Sequence, residues 1–182
     1  LHIEKKYAIV EQYGFKVLHD EAVSLDFPQG TVVIAGVEDP YFGLGDRAAL
    51  RVGDDRASYR RRLAAVAQKT DELVHSVSGE RTVLFTLLLA HRPEYVKDYV
   101  QYDFDVILAG HAHGGQWRFP PFINGLYAPG QGMFPKYAGG KYTLKNGTVM
   151  VVSRGLSYQQ PKVVRIFNNP ELTLVRVIPI VK

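Results

Sequence analysis

Three histidines lie at points of the chain where their imidazole rings could bind a metal ion together. His111 and His113 are separated by one residue and flanked by glycines, directly after the apolar segment Val106–Ala109. His91 follows a second apolar segment, Val83–Ala90. Imidazole is the commonest metal ligand among side chains, and the glycines let the backbone turn so that two rings can approach one point. We therefore interpret the three histidines as candidate metal ligands.

The composition restricts the kind of site that they could form. The chain has 182 residues, no cysteine, 46% hydrophobic residues and a formal net charge of +4. Disulfides and thiolate metal sites are thereby excluded, and no segment reaches the roughly 18 apolar residues of a membrane span. The densest basic cluster, Arg56–Arg62, has a helical pattern. We interpret it as a solvated helix face, and we predict no nucleic-acid binding.

The hydrophobic pattern predicts an α/β fold that brings the histidines to one edge of a sheet. A strand at 82–90, a helix at 93–102 and a strand at 105–109 form a βαβ unit, whose strands run parallel. Ligands bind at the carboxyl ends of such strands, where His91 and His111 lie. The pattern also predicts helices at 4–13 and 57–77, strands at 15–18, 22–27 and 31–36, and a surface loop at 37–55.

The C-terminal third is predicted to be antiparallel. Asn146-Gly147 between two β-like segments is a strong hairpin signal, and it predicts pairing of 143–144 with 149–152. A second antiparallel pair is expected from 163–167 and 172–178. Residues 117–140, which are rich in proline, glycine and aromatic side chains, are expected to form an ordered functional loop.

The number of metal ions that the histidines could help to bind depends on the carboxylates near them. Three histidines and a water complete a mononuclear zinc site, whereas two metal ions would also need carboxylates. The candidates are Glu38, Asp39, Asp103 and Asp105. Asp39 follows a predicted strand and could reach the same edge, but with the proline after it a turn is favoured. Asp103 and Asp105 precede a strand, at its opposite end from His111, and we interpret them as structural.

Two segments of the sequence resemble the calcineurin-like metallophosphoesterases. They are His91-Arg92-Pro93-Glu94 and the stretch 104–116, which contains Gly110-His111-Ala112-His113-Gly114-Gly115. Residues 125–132, 134–137 and 152–156 are similar to a bacterial branch whose members are often membrane-anchored or exported. Residues 31–40 fit the family more weakly.

The resemblance implies a fold, a cofactor and a reaction. The fold would be a four-layer αββα sandwich around two divalent metal ions, drawn from Mn, Fe, Zn, Ni and Co. His91 and His111 would bind one metal and His113 the other, and a metal-bridging hydroxide would attack the phosphorus of a phosphate-ester substrate. Arg154 could contact that substrate.

The chain departs from the family in its first half. The motifs Asp-x-His, Gly-Asp-x-x-Asp and Gly-Asn-His-Asp/Glu are absent from the sequence. We therefore expect residues 1–182 to be a single domain that forms the C-terminal part of a calcineurin-like phosphoesterase domain. The chain would carry part of the dimetal site, and we expect it to be inactive by itself.

Two alternatives remain open at this point. The chain could be a non-catalytic or degenerate metal-binding fragment that forms a homodimer through an exposed sheet edge. It could instead be a mononuclear zinc-type hydrolase that uses all three histidines. Membrane association is expected only through segments outside this chain, and the place of action is the bacterial cytoplasm unless such segments export or anchor the protein.

Overall fold

A computed structural model describes residues 3–40, 56–157 and 164–178. These residues form a six-stranded mixed sheet, one long helix and several short elements. The helices are α1 (Ile3–Gln12), α2 (Arg56–Ser78) and α3 (Val96–Tyr99), with 3₁₀ turns at Pro93–Tyr95 and His113–Gly115. The strands are β1 (Glu21–Phe27), β2 (Gly30–Val37), β3 (Val83–Ala90), β4 (Val106–Ala109), β5 (Tyr127–Ala128), β6 (Gly132–Met133), β7 (Gly140–Thr143) and β8 (Val149–Val152).

The central strands run parallel, as the βαβ pattern predicts. The sheet order is β1-β2-β3-β4-β8-β7, in which β2, β3, β4 and β8 are parallel and the two edge strands are antiparallel to their neighbours. A mixed α/β fold is therefore confirmed. Strands β5 and β6 form a separate two-stranded sheet.

The connection from β3 to β4 is less helical than predicted. In place of a helix over 93–102, the 3₁₀ turn leads into the single helical turn α3. The hydroxyl of Tyr99 donates a hydrogen bond to the carbonyl of Arg92 over 2.7 Å, and Phe104 is buried just before β4. These tertiary contacts return the chain to the sheet early, because packing overrides a weak local helical preference.

The core lies between the sheet and α2. Ala35, Leu88, Ile107 and Met150 occupy one row across four adjacent strands, and none of them is exposed. Helix α2 belongs to the same cluster through Leu63, Val66 and two other buried side chains, Tyr59 and Ala67. Residues alternate between the two faces of a strand, so the neighbouring rows face away from this core.

The opposite face of the sheet is apolar but less covered. Ile34 and Leu87 lie in register on β2 and β3, and both are half-buried. Leu89, one step along the same face of β3, is 40% exposed. The nearly continuous apolar sequence of β3 is typical of strands that are buried on both faces. Within the described residues, this second face is therefore only partly covered.

Three of the predicted strands are not formed. Residues 15–18 have no strand pairing. Leu18 packs over Gly36, where an added Cβ would lie 2.6 Å from the Leu18 Cβ. In the second expected C-terminal pair, Ile166 makes an isolated bridge to Trp117, and 169–178 contain no strand. Residue 163 and residues 41–55 of the expected surface loop lie outside the described residues.

The hairpin around Asn146-Gly147 is confirmed. Strands β7 and β8 pair antiparallel from Gly140↔Val152 to Thr143↔Val149. Gly147 has a φ of +93°, a conformation that glycine adopts without steric cost.

The basic cluster on α2 is not simply a solvated face. Arg56 and Arg60 both bind the carboxylate of Asp98, which is 2% exposed, and Arg62 lies 3.4 Å from Asp20. The prediction of a solvated face was incomplete, because the acidic partners come from elements distant in sequence. Among the described helices, none is both long and apolar enough to cross a membrane.

Candidate functional site

His91 and His111 meet at the carboxyl edge of β3 and β4. The Nε2 atom of His91 lies 3.2 Å from the Nδ1 atom of His111, and the two rings are edge-to-face with centroids 4.9 Å apart. The N–H of Gly110 donates a hydrogen bond to the carbonyl of His91 over 3.1 Å. His111 has a φ of +59°, so the backbone reverses there. The glycine beside His111 and this reversal bring the second ring back to the first.

Burial favours the uncharged form of both rings. Burial lowers the pKa of His91. Burial also lowers the pKa of His111, to about 3, and the neighbouring Arg92 cation adds to that effect. A neutral imidazole is the form that binds metal ions.

Arg92 connects this pair to an acidic side chain. Its Nε and Nη2 atoms bind the two carboxylate oxygens of Asp39 at 2.8 and 3.1 Å. Its Nη1 atom lies 3.0 Å from the Nε2 atom of His111. A guanidinium group only donates hydrogen bonds, so Nε2 of His111 accepts one and the neutral ring carries its hydrogen on Nδ1. That hydrogen then points to Nε2 of His91.

The four candidate carboxylates have different surroundings. Asp39 does reach the histidine edge, where it binds Arg92, so the interpretation of this residue as part of a turn was incomplete. Glu38 binds His19, with an Oε1–Nδ1 distance of 2.6 Å. Asp105 accepts hydrogen bonds from the backbone N–H and the hydroxyl of Thr86, and the same hydroxyl donates to the carbonyl of Asp103. These contacts lie at the far end of β4, in keeping with structural roles for both aspartates.

Glu94 is a site residue that the sequence analysis missed. Its Oε1 atom lies 3.3 Å from Nη1 of Arg92 and 3.7 Å from Nε2 of His111. Its side chain is 10% exposed, and its Oε2 atom is buried without a hydrogen-bond partner in the described part of the chain. Burial raises the pKa of Glu94. Its position three residues after His91 was the available signal.

His113 lies in the 3₁₀ turn that follows His111. Its carbonyl accepts a 2.7 Å hydrogen bond from Nδ2 of Asn168, which also donates to the carbonyl of Gln116. Burial lowers the pKa of His113, and the charge of Arg165 lowers it further. The sequence gives no signal for this role of Asn168, because no local pattern shows that it packs against a segment more than fifty positions earlier.

Arg154 binds an acidic partner within the chain. Its Nη2 atom lies 3.1 Å from Oε1 of Glu171, and its carbonyl accepts a 2.6 Å hydrogen bond from Nη2 of Arg165. The contacts described for Arg154 tie the segment after β8 to the C-terminal residues. Its contact with a substrate stays a prediction.

The histidine pair fits two ligands of a metal ion. Nitrogen ligands at about 2.1 Å from a tetrahedral or octahedral metal lie about 3.0–3.4 Å from one another, which includes the observed separation of His91 and His111. The remaining ligands are not present as a set. Within residues 3–40, 56–157 and 164–178, no three histidine, aspartate or glutamate side chains are grouped so that they could hold a metal together.

Three curated proteins illustrate what the chain is similar to. An uncharacterized metallophosphoesterase of Aquifex aeolicus is 27% identical over 166 residues, and the uncharacterized metallophosphoesterase Cj0846 of Campylobacter jejuni is 34% identical over 132 residues. The chain is a relative of the metallophosphoesterases. The uncharacterized protein YpbG of Bacillus subtilis is also similar, at 28% identity over 144 residues. The resemblance that the histidine motifs predict is thereby confirmed.

The similarity covers most of this chain but only part of each metallophosphoesterase. The matches span 90% and 72% of the chain, but 51% of the Aquifex protein and 29% of the Campylobacter protein. The match to YpbG spans 79% of the chain and 44% of that protein. No protein-family model and no solved structure matches the chain.

Proposed function

We propose that this chain is part of a metal-dependent phosphoesterase, in which it supplies His91, His111 and His113 as metal ligands. The observation that carries the proposal is the pair of neutral imidazoles, 3.2 Å apart, in a relative of the metallophosphoesterases. His91 and His111 would hold one divalent ion and His113 a second. Such ions polarise a phosphate ester and lower the pKa of water to generate the nucleophile.

The chain's own residues prepare the histidines for this role. Burial favours the neutral form of His91 and His111, in which each ring has one nitrogen lone pair. Arg92 holds the His111 ring at Nε2, and Asp39 holds Arg92 through two hydrogen bonds. Binding of an ion through Nδ1 of His111 therefore requires the ring hydrogen to move to Nε2 and Arg92 to turn away from it. The contact from Arg92 fixes the orientation and the tautomer of the ring before an ion binds. In this proposal Arg92 and Asp39 are positioning residues.

We also propose that the sheet is one of the two inner layers of a calcineurin-like αββα sandwich. Support comes from the second face of the sheet, where Ile34 and Leu87 are half-buried and Leu89 is 40% exposed. An apolar sheet face is stabilised when another layer packs on it. The chain spans about half the length of the Aquifex relative, which leaves room there for such a layer and for further metal ligands.

Metal binding tests the ligand assignment directly. The 182-residue chain is titrated with cobalt(II), and the visible absorption of the bound ion is recorded. We expect His91→Ala and His111→Ala each to weaken cobalt binding at least tenfold. His75→Ala is the matched control, because His75 is exposed on α2 and should leave binding unchanged. Equal binding by all four proteins would contradict the proposal.

Stoichiometry and turnover separate the alternatives. One cobalt per chain that depends on all three histidines would favour the mononuclear zinc-type hydrolase over the dimetal site. Hydrolysis of a chromogenic phosphodiester is then measured with manganese. We expect the chain to show no turnover by itself. Turnover that His111→Ala abolishes would show that the chain holds a complete site.

A further inference from the structure

A basic groove adjoins the histidine site at Glu94. It has a volume of about 850 Å³ and lies between α3, the segment before β7 and the β7–β8 hairpin. Four lysines line it: Lys97, Lys136, Lys141 and Lys145. The other lining residues are two valines, a leucine, a threonine and two tyrosines, and Glu94 is the one acidic residue. The metal-site proposal does not use this groove.

The lysines have no acidic partner to explain their grouping. None of the four forms an ion pair with a carboxylate of the described residues. The Nζ atom of Lys136 lies 5.3 Å from the ring centroid of Tyr137, and that ring packs edge-to-face on Tyr142. Like charges in one concave surface repel each other and attract an anion. The groove is therefore suited to an anionic ligand.

Glu94 supplies an independent sign of a ligand. Its side chain is nine-tenths buried, yet its Oε2 atom has no hydrogen-bond partner among the described residues. A buried acceptor without a partner is unfavourable by about 1–3 kcal/mol or more, so such atoms are rare unless something binds them. A hydroxyl group of a ligand would satisfy it once the Glu94 side chain turns this atom toward the groove that the residue lines.

We propose that this groove binds a phosphate ester that carries hydroxyl groups and a second anionic group. The inference rests on the proposed function, because it places the second anion of the substrate among the lysines while the reacting phosphate lies at the histidines. Glu94 joins the two places, since its Oε1 atom is 3.7 Å from Nε2 of His111 and the residue also lines the groove. On binding, the Glu94 side chain turns and its Oε2 atom accepts a hydrogen bond from a ligand hydroxyl.

The test measures binding without metal and without turnover. Isothermal titration in the presence of a chelator compares fructose 1,6-bisphosphate with fructose 6-phosphate and with hexane-1,6-diol bisphosphate. We expect the sugar bisphosphate to bind at least tenfold more tightly than the monophosphate, and severalfold more tightly than the diol bisphosphate. The double variant Lys136→Gln/Lys141→Gln should reduce the affinity for the sugar bisphosphate at least tenfold.

A control variant separates the groove from net charge. Lys16→Gln/Arg61→Gln removes the same two charges at exposed positions outside the groove, and should change the affinity by less than twofold. Circular dichroism checks that both variants are folded. Equal losses in the two double variants, or no preference for the second phosphate, would overturn the proposal.

Two further outcomes are informative. If a polynucleotide or an anionic lipid vesicle displaces the bisphosphate at a much lower concentration, the groove belongs to a macromolecule and the proposal is wrong. Because no metal is present, failure of this binding leaves the cobalt titration unaffected. The substrate inference and the metal-ligand assignment can therefore fail separately.

Discussion

The ion pairs around Asp98 connect the long helix to the segment that follows His91. Both carboxylate oxygens of Asp98 are bound, Oδ2 by Nε and Nη2 of Arg56 at 3.0 Å each and Oδ1 by Nε of Arg60 at 2.8 Å. Arg56 also lies over the ring of Tyr95, 5.0 Å from its centroid. Replacing Asp98 by asparagine keeps the shape of the side chain and removes its charge.

The expected loss follows from the exposure of the three side chains. Hydrogen bonds to charged groups contribute about 1.5–3 kcal/mol each when the partners are shielded from water. Asp98 is 2% exposed, but Arg56 is 36% and Arg60 57% exposed, so both arginines can be hydrated once the charge is gone. Solvent screening then reduces the combined value. We expect Asp98→Asn to lower the free energy of unfolding by about 2 kcal/mol.

Urea denaturation followed by circular dichroism measures this loss. For a domain of this size, about 2 kcal/mol corresponds to a decrease of roughly 4–8 °C in Tm. Arg61→Gln is the control, because Arg61 is exposed on the same helix and should change stability by less than about 0.5 kcal/mol. A loss below about 0.5 kcal/mol for Asp98→Asn would refute the reasoning, and so would an equal loss in the control.

Two other predictions concern the turn after His111 and the C-terminal ion pair. Gly114→Ala should lower the free energy of unfolding by at least about 2 kcal/mol, because φ is +66° and a Cβ would lie 2.2 Å from Oδ1 of Asn168. Gly147→Ala, at φ +93° in open space, should lose only about 1 kcal/mol; equal losses by urea denaturation would argue against the clash. The hydrogen bond from Arg154 lowers the pKa of Glu171 in the folded protein. The contribution of this ion pair to the free energy of unfolding is therefore present above the unfolded pKa of about 4.3, and it is lost as the pH falls through the lower folded pKa. The difference in Tm between the wild type and Glu171→Gln should therefore be larger at pH 7 than at pH 3, and the same difference at both values would contradict this.

The parallel part of the fold could be predicted because its signals are local. Apolar runs of strand length alternate with a helical pattern, and this order alone predicts β3 and β4 as parallel neighbours. The hairpin at Asn146-Gly147 follows equally from the conformational freedom of one glycine. By contrast, the strands expected at 15–18 and 172–178 were wrong, because a β-like composition does not ensure that a neighbouring strand edge is available.

In the site, too, only the features with local signals could be predicted. His91 and His111 follow consecutive parallel strands, so the sheet itself brings them together. The side chains around them depend on contacts between distant segments: Asp39 meets Arg92 across 53 positions, and Asn168 reaches the carbonyl of His113 across 55. No local pattern encodes such pairs.

The sequence by itself determined the α/β class, the relationship to metallophosphoesterases and the position of two histidines at one sheet edge. Each of these follows from periodicity or from a motif within a short segment. Only the tertiary structure decided that Arg92 and Asp39 orient His111, that Glu94 is buried with an unpaired oxygen, and that four lysines share one groove. These features arise from burial and from the approach of distant side chains, which depend on how the whole chain packs.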